Sequence, residues 1–226
     1  YWMEAFRLPS LSREQLLERF TLEGHEVFDV HRAQGTGVIV AIPHSGNWDL
    51  AGAWVAAKGW PITTVAERLK PAGVYERFLD YRRGLGMRII PHSGGERSSR
   101  SILTEALADG HVVPLVADRD LSSSGVDVEF FGEKSRMPIG PALLAIRTGA
   151  PLYTVVLRND GPRHVYGKME GPIEVPAEGR MADRVSAVTQ AMADAFAAGI
   201  ATQPEDWHMM QRLWTADVET PSDVRE

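Results

Sequence analysis

His44 and Asp49, in Pro43-His-Ser-Gly-Asn-Trp-Asp49, are the pair in this chain best spaced to move a proton. Imidazole exchanges a proton near neutral pH. A carboxylate that accepts its Nδ1–H fixes the tautomer and leaves Nε2 free to deprotonate a hydroxyl. The preceding run, Gly37-Val-Ile-Val-Ala-Ile-Pro43, suits a strand covered on both faces. Ser45, Gly46 and Asn47 are turn and N-cap residues before the apolar stretch Leu50 to Ala57. The pattern predicts strand, turn and helix, with His44 at the strand's carboxyl end facing a crevice and Asp49 in the first helical turn. A satisfied loop histidine beside an aspartate placed for the helix dipole has the same spacing, so the motif leaves both readings open. Ser45 reads as a turn residue, because 37 to 49 lacks the GxSxG elbow of a serine nucleophile.

Other chemistry-bearing residues follow later apolar runs. Glu67 and Arg68 close the run 61 to 66 and should overlook the same crevice; a surface ion pair is the alternative. Arg82 and Arg83 stand before Gly84, where a guanidinium suits a phosphate unless both are solvated. Asp118 ends the run 112 to 117, where a carboxylate is costly unless paired, so it reads as holding an arginine beside the His44–Asp49 pair. Arg119 and Asp120 adjoin it. Pro-His-Ser-Gly recurs at 91 to 94, which directs His92 to the same crevice. His44, Asp49, His92, Asp118 and Asp120 could instead gather round a hydrolase metal. No HxH, HxD or HExxH pair occurs, however, and Arg119 puts a cation between two of the carboxylates, so no metal is expected.

Six blocks, taken in order, carry a resemblance: Tyr1-Trp-Met-Glu-Ala-Phe-Arg7, Pro43 to Asp49, Ala66-Glu-Arg-Leu69, Ala117-Asp-Arg-Asp120, Phe130-Phe-Gly132 and Pro204-Glu-Asp-Trp-His208. The chain resembles the HxxxxD-motif acyltransferases, in the branch that holds the lipid A and the phosphatidylinositol mannoside acyltransferases. The resemblance implies transfer of a long acyl chain, palmitoyl by preference, from acyl-CoA to a mannose hydroxyl of phosphatidylinositol mannoside. His44 would be the general base and Asp49 its partner, while Glu67, Arg68, Arg82, Arg83, Asp118 and Arg119 would bind or orient substrate. Acyl-CoA is then a substrate, and no cofactor is expected. Lipid A and lysophospholipids are the alternative acceptors. The resemblance also implies a peripheral enzyme at the cytoplasmic face of the plasma membrane and an N-terminal helical segment preceding Tyr1. Acyl transfer further needs donors for a tetrahedral oxyanion, for which the backbone N–H groups of 45 to 48 are candidates.

Composition is compatible with this. The 226 residues, 44% hydrophobic, can bury one sizeable core, and one domain over 1 to 226 is expected. The absence of Cys excludes a disulfide framework, a thiolate nucleophile and a Cys-ligated zinc site. A net charge of −6 argues against nucleic acid as a partner. No apolar run approaches the ~20 residues of a spanning helix, which makes contact with a membrane surface interfacial.

The elements that must position these groups alternate. Helix is predicted over 11 to 34, with Ser12 as cap, then at 47 to 58, 72 to 85, 98 to 109, 138 to 148 and 180 to 198. Strands are predicted at 37 to 42, 61 to 66, 87 to 90, 112 to 117, 126 to 131 and 152 to 157, with a strand pair near 164 to 175, and mobile loops at 94 to 99 and 120 to 125. This rhythm predicts an α/β fold: a largely parallel central sheet flanked by helices, glycerolipid acyltransferase-like, with the ligand crevice at the strands' carboxyl ends. Trp48, Trp54 and Trp60, with Met137, Met209 and Met210, would either line an apolar acyl groove or fill the core.

Overall fold

The β-branched run that precedes the motif becomes the middle of the sheet. In the computed structural model, which describes residues 1–67, 70–92, 94, 97–120 and 124–219, Val38–Ile42 is buried at every position. Its side chains alternate between two cores: Ile39 and Ala41 face one, Val38, Val40 and Ile42 the other. Both faces are therefore covered, as an unbroken apolar strand requires.

In chain order the elements are α1 (Trp2–Ala5), α2 (Arg13–Glu18), β1 (Phe20–Glu23), α3 (Val27–Ala33), β2 (Val38–Ile42), α4 (Trp48–Ala57), β3 (Thr63–Ala66), α5 (Ala72–Gly84) and β4 (Arg88–Pro91). There follow α6 (Ser99–Ala108), β5 (Val112–Val116), β6 (Val126–Phe130), β7 (Glu133–Met137), α7 (Gly140–Thr148), β8 (Leu152–Asn159), β9 (Val165–Glu170), α8 (Met181–Ile200) and α9 (Thr215–Glu219). The central sheet has the order β1-β9-β8-β2-β5. β5, β2 and β8 are parallel, β9 is antiparallel to β8, and β1 runs with β9. The parallel pair β3–β4 adjoins the β5 edge through an isolated bridge, Ile62 to Val112. This is the expected α/β architecture with a largely parallel sheet.

Two expectations change, and one strand appears where none was predicted. Residues 11 to 34 are not one helix: after α2, capped by the Ser12–Gln15 box, Phe20-Thr-Leu-Glu23 alternates buried and exposed and pairs with β9. Its partner lies about 145 residues downstream, so helical propensity yields to a distant ladder. The polar segment Glu133–Met137 is a strand because it forms a hairpin with β6, not because of its composition. Near 164 to 175 there is one strand rather than two. Pro172 and Pro176 follow β9, and proline cannot donate to a ladder. The two expected loops fall partly on 95, 96 and 121 to 123, which lie outside the described residues.

Trp54 and Trp60 are buried in the core with Phe20 and Phe28, so of the three spaced tryptophans only Trp48 reaches the crevice. Met137 is core, Met209 packs against it from the rim, and Met210 faces solvent.

Candidate active site

β2 and β5 are adjacent and in register, Ile42 opposite Val116, and the Ala117 N–H continues the ladder to Ile42 O at 2.9 Å. The residues that follow the two strands therefore emerge side by side. Asp118 donates nothing and accepts three hydrogen bonds: His44 N–H to Oδ2 at 2.9 Å, Trp207 Nε1–H to Oδ2 at 2.9 Å, and His44 Nδ1 with Oδ1 at 2.6 Å. The carboxylate is fully buried, whereas the His44 side chain is 29% exposed. An Nδ1–H held in this way leaves Nε2 as the lone-pair nitrogen.

The partner of His44 Nδ1, expected to be Asp49, is thus Asp118. Asp49, in the first turn of α4, is buried and engaged elsewhere. Its Oδ1 accepts from Arg82 Nε at 2.7 Å and its Oδ2 from Tyr1 Oη at 2.6 Å. Four residues of separation carry it round the helix, away from the strand-end neighbour that meets Nδ1. The expected arginine-holding role therefore belongs to Asp49 and the histidine-holding role to Asp118. Burial lowers the proton affinity of the Arg82 guanidinium, but the Asp49 carboxylate beside it outweighs this and raises its pKa. Burial first, and Asp49 second, push the Tyr1 and Tyr81 phenols well above their ordinary 10.0, so both remain hydrogen-bond donors.

The turn between His44 and Asp49 is clamped from the far end of the chain. Gly46 N–H donates to Asp206 O at 2.9 Å, His208 N–H to His44 O at 2.7 Å, and Leu157 N–H to Ser45 Oγ at 3.0 Å. Gly46 has φ +53°, and a Cβ there would stand 2.7 Å from Leu157 Cβ, so glycine is required for both reasons. Ser45 is 1% exposed, its hydroxyl already committed, in keeping with a turn role. The Ser45 N–H is spent on Pro43 O and the Gly46 N–H on Asp206 O, so two of the four expected oxyanion donors are occupied. Trp207 and Asp206 join the site through contacts that spacing did not reveal. They are fixed to the site only by contacts between distant segments, Trp207 being 89 residues from Asp118.

His44 opens on a cleft of about 300 Å³ that is also lined by Glu67, Arg82, His92, Arg119 and Asp120, as expected for loops at neighbouring strand ends. The Nε of Arg119 is buried there without a hydrogen-bond partner among the described residues. Arg83 is not part of the cleft; it is exposed and pairs with Asp80 at 3.4 Å, because α5 turns only one of its two last-turn arginines inward. Arg68 lies outside the described residues. Among the described residues no three His, Asp or Glu side chains converge in a way that could hold a metal ion. Adjoining the cleft at Trp48, Val65, Arg82 and Val116 is a second, apolar cavity of about 100 Å³ that runs between α4 and the sheet past Gly52, Val55, Ile42 and Met87.

A buried carboxylate orienting a partly exposed imidazole over a cleft is an arrangement that could serve a general base. Residues 1–216 match the family of bacterial lipid A biosynthesis acyltransferases, and the chain belongs to that family of acyltransferases. Among characterised relatives, it is 46% identical to the phosphatidylinositol mannoside acyltransferase of Mycobacterium tuberculosis, the match covering 96% of this chain and 68% of that protein. It is likewise 46% identical to the enzyme of the same name from Mycolicibacterium smegmatis, over 96% of this chain and 70% of that one.

Proposed function

We propose that the chain transfers a long-chain acyl group, palmitoyl, from acyl-CoA to a mannose hydroxyl of a phosphatidylinositol mannoside. The likeness to the two mycobacterial enzymes supports the acceptor, and the His44–Asp118 pair at the mouth of a cleft with an apolar extension carries the chemistry. His44 Nε2 takes the acceptor's hydroxyl proton as the oxygen attacks the thioester carbonyl. The tetrahedral intermediate then collapses, breaking the C–S bond, and the departing thiolate recovers the proton from the imidazolium. Asp118 balances the imidazolium while it exists. The unpartnered Arg119 Nε offers a donor to oxyanion or phosphate oxygens in the same cleft, and Glu67 an acceptor for sugar hydroxyls. The acyl chain enters the apolar cavity beside Trp48. Asp49, through Arg82, shapes the wall between cleft and cavity rather than assisting the proton transfer.

The enzyme works as a peripheral protein on the inner face of the plasma membrane. Among the described residues no helix is long and apolar enough to cross a membrane, and Trp2, Met3 and Phe6 present an exposed apolar edge beside the cleft.

The test is transfer of radiolabel from palmitoyl-CoA to phosphatidylinositol mannoside by the wild type and by His44→Ala. Labelled glycolipid from the wild type alone is expected. Label appearing only on lysophospholipid or a lipid A precursor would overturn the acceptor, and full activity of His44→Ala would overturn the mechanism.

A further inference from the structure

A second polar cleft, of about 260 Å³, flanks the motif turn on the side away from Asp118. Because β9 and β1 run opposite to β2, the segments that lead into them reach the same sheet edge as the carboxyl end of β2. Arg19, next to β1, and Arg163, just before β9, meet Arg7 and the first turn of α4 there. Among the described residues Glu4 is the single carboxylate in the lining, so the cleft carries an excess of positive charge. None of the three arginine side chains has a hydrogen bond or ion pair among the described residues.

Its inner wall holds Asn47, 1% exposed. The Asn47 Oδ1 accepts from Leu50 N–H at 3.0 Å and caps α4, which orients the amide and leaves Nδ2 as its donor. That Nδ2 is buried without a partner among the described residues. A buried donor left unmade costs free energy, and here three arginines line the same cleft. Guanidinium forks and an amide N–H are both donors matched to phosphate oxygens.

We propose that this cleft is a phosphate-ester subsite next to the active site, with Arg7, Arg19 and Arg163 as the charged contacts and Asn47 Nδ2 as the buried donor. Its phosphate belongs to one of the two substrates, either the nucleotide end of CoA or the headgroup of a phosphoinositide lipid. That assignment to substrates rests on the function proposed above, whereas the phosphate chemistry of the cleft does not.

Binding separates the sources. Calorimetry with coenzyme A, and sedimentation with phosphatidylcholine vesicles with and without phosphatidylinositol, are carried out on the wild type, on R19Q/R163Q and on R7Q/R19Q/R163Q. R147Q, at an exposed arginine on α7 that does not line the cleft, serves as the charge control. Loss of one charge-assisted contact is expected to weaken the relevant ligand by about tenfold or more, with thermal stability unchanged. Weakened coenzyme A binding with unchanged vesicle binding assigns the subsite to the donor, and the reverse assigns it to the lipid. Unchanged binding of both ligands in the triple variant, or losses no larger than those of R147Q, overturn the subsite. Because the readout is binding rather than turnover, it stands or falls separately from the acylation assay.

Discussion

Replacing Asp118 by Asn separates the pair seen in the structure from the pair implied by motif spacing. The Asp118 carboxylate accepts from the His44 backbone, the His44 ring and Trp207. An asparagine retains one oxygen for the two N–H donors, and its NH₂ then points at His44 Nδ1. That contact favours the tautomer with the proton on Nε2, which can no longer act as a base. In a serine-protease triad the equivalent inversion lowers kcat by about 10⁴, and here a loss of about 10³ to 10⁴ is expected, or ~4–5.5 kcal/mol in the barrier. Asp49→Asn acts differently, because it strips the charge partner from an Arg82 that is only 20% exposed. Breaking such a pair costs ~3 kcal/mol of stability, which lowers Tm by roughly 6–12 °C in a chain of this size. The assay is acyl transfer per folded molecule at saturating palmitoyl-CoA, together with calorimetric Tm, for both variants. Asp118→Asn should lose turnover and retain most of its Tm, and Asp49→Asn the converse. If Asp118→Asn stays within about tenfold of wild type while folded Asp49→Asn is inactive, the assignment of the Nδ1 partner is wrong.

Two further outcomes follow from the same geometry. Trp207→Phe keeps the ring contacts with Phe130 and Phe131 and removes only the N–H to Asp118; steady-state kinetics should show kcat down by about tenfold or more with KM for acyl-CoA unaltered. A rise in KM alone would make Trp207 a binding residue. His111, its Nδ1 2.8 Å from Thr63 Oγ1, has its pKa lowered from 6.5 by burial, with Arg88 and Arg32 adding to this and Asp109 opposing it. The unfolded chain therefore binds a proton first, so His111 contributes stability above about pH 6.5 that is lost as pH falls through the lower folded value. His111→Gln should flatten the decline of Tm below about pH 6.5, and parallel Tm curves for variant and wild type would refute this.

Much of the positioning frame was legible in the chain because it is written in local periodicity. The apolar run before His44, the Asn47 cap and the apolar stretch after it are short-range signals, and they produce β2, the turn and α4 close to the predicted places. The same holds for the Pro-His-Ser-Gly echo, which brings His92 to the His44 cleft. By contrast, Phe20–Glu23 is read as helix and Glu133–Met137 carries no strand prediction, because each becomes a strand only through a partner that its own pattern does not name.

The sequence by itself therefore determined that an imidazole stands at the carboxyl end of a buried parallel strand in an α/β fold, since strand, turn and helix signals reach only a few residues. Which carboxylate meets that imidazole was decided by tertiary structure. Strand order and register bring Asp118 from 74 residues away to Nδ1, while Asp49, five positions along the chain, is turned by the helix towards Arg82. Trp207 and Asp206 complete the support from a segment with no local signal for either contact. Hydrogen-bond partners in a sheet are set by which strands are neighbours, and side-chain periodicity along one strand contains no record of that choice.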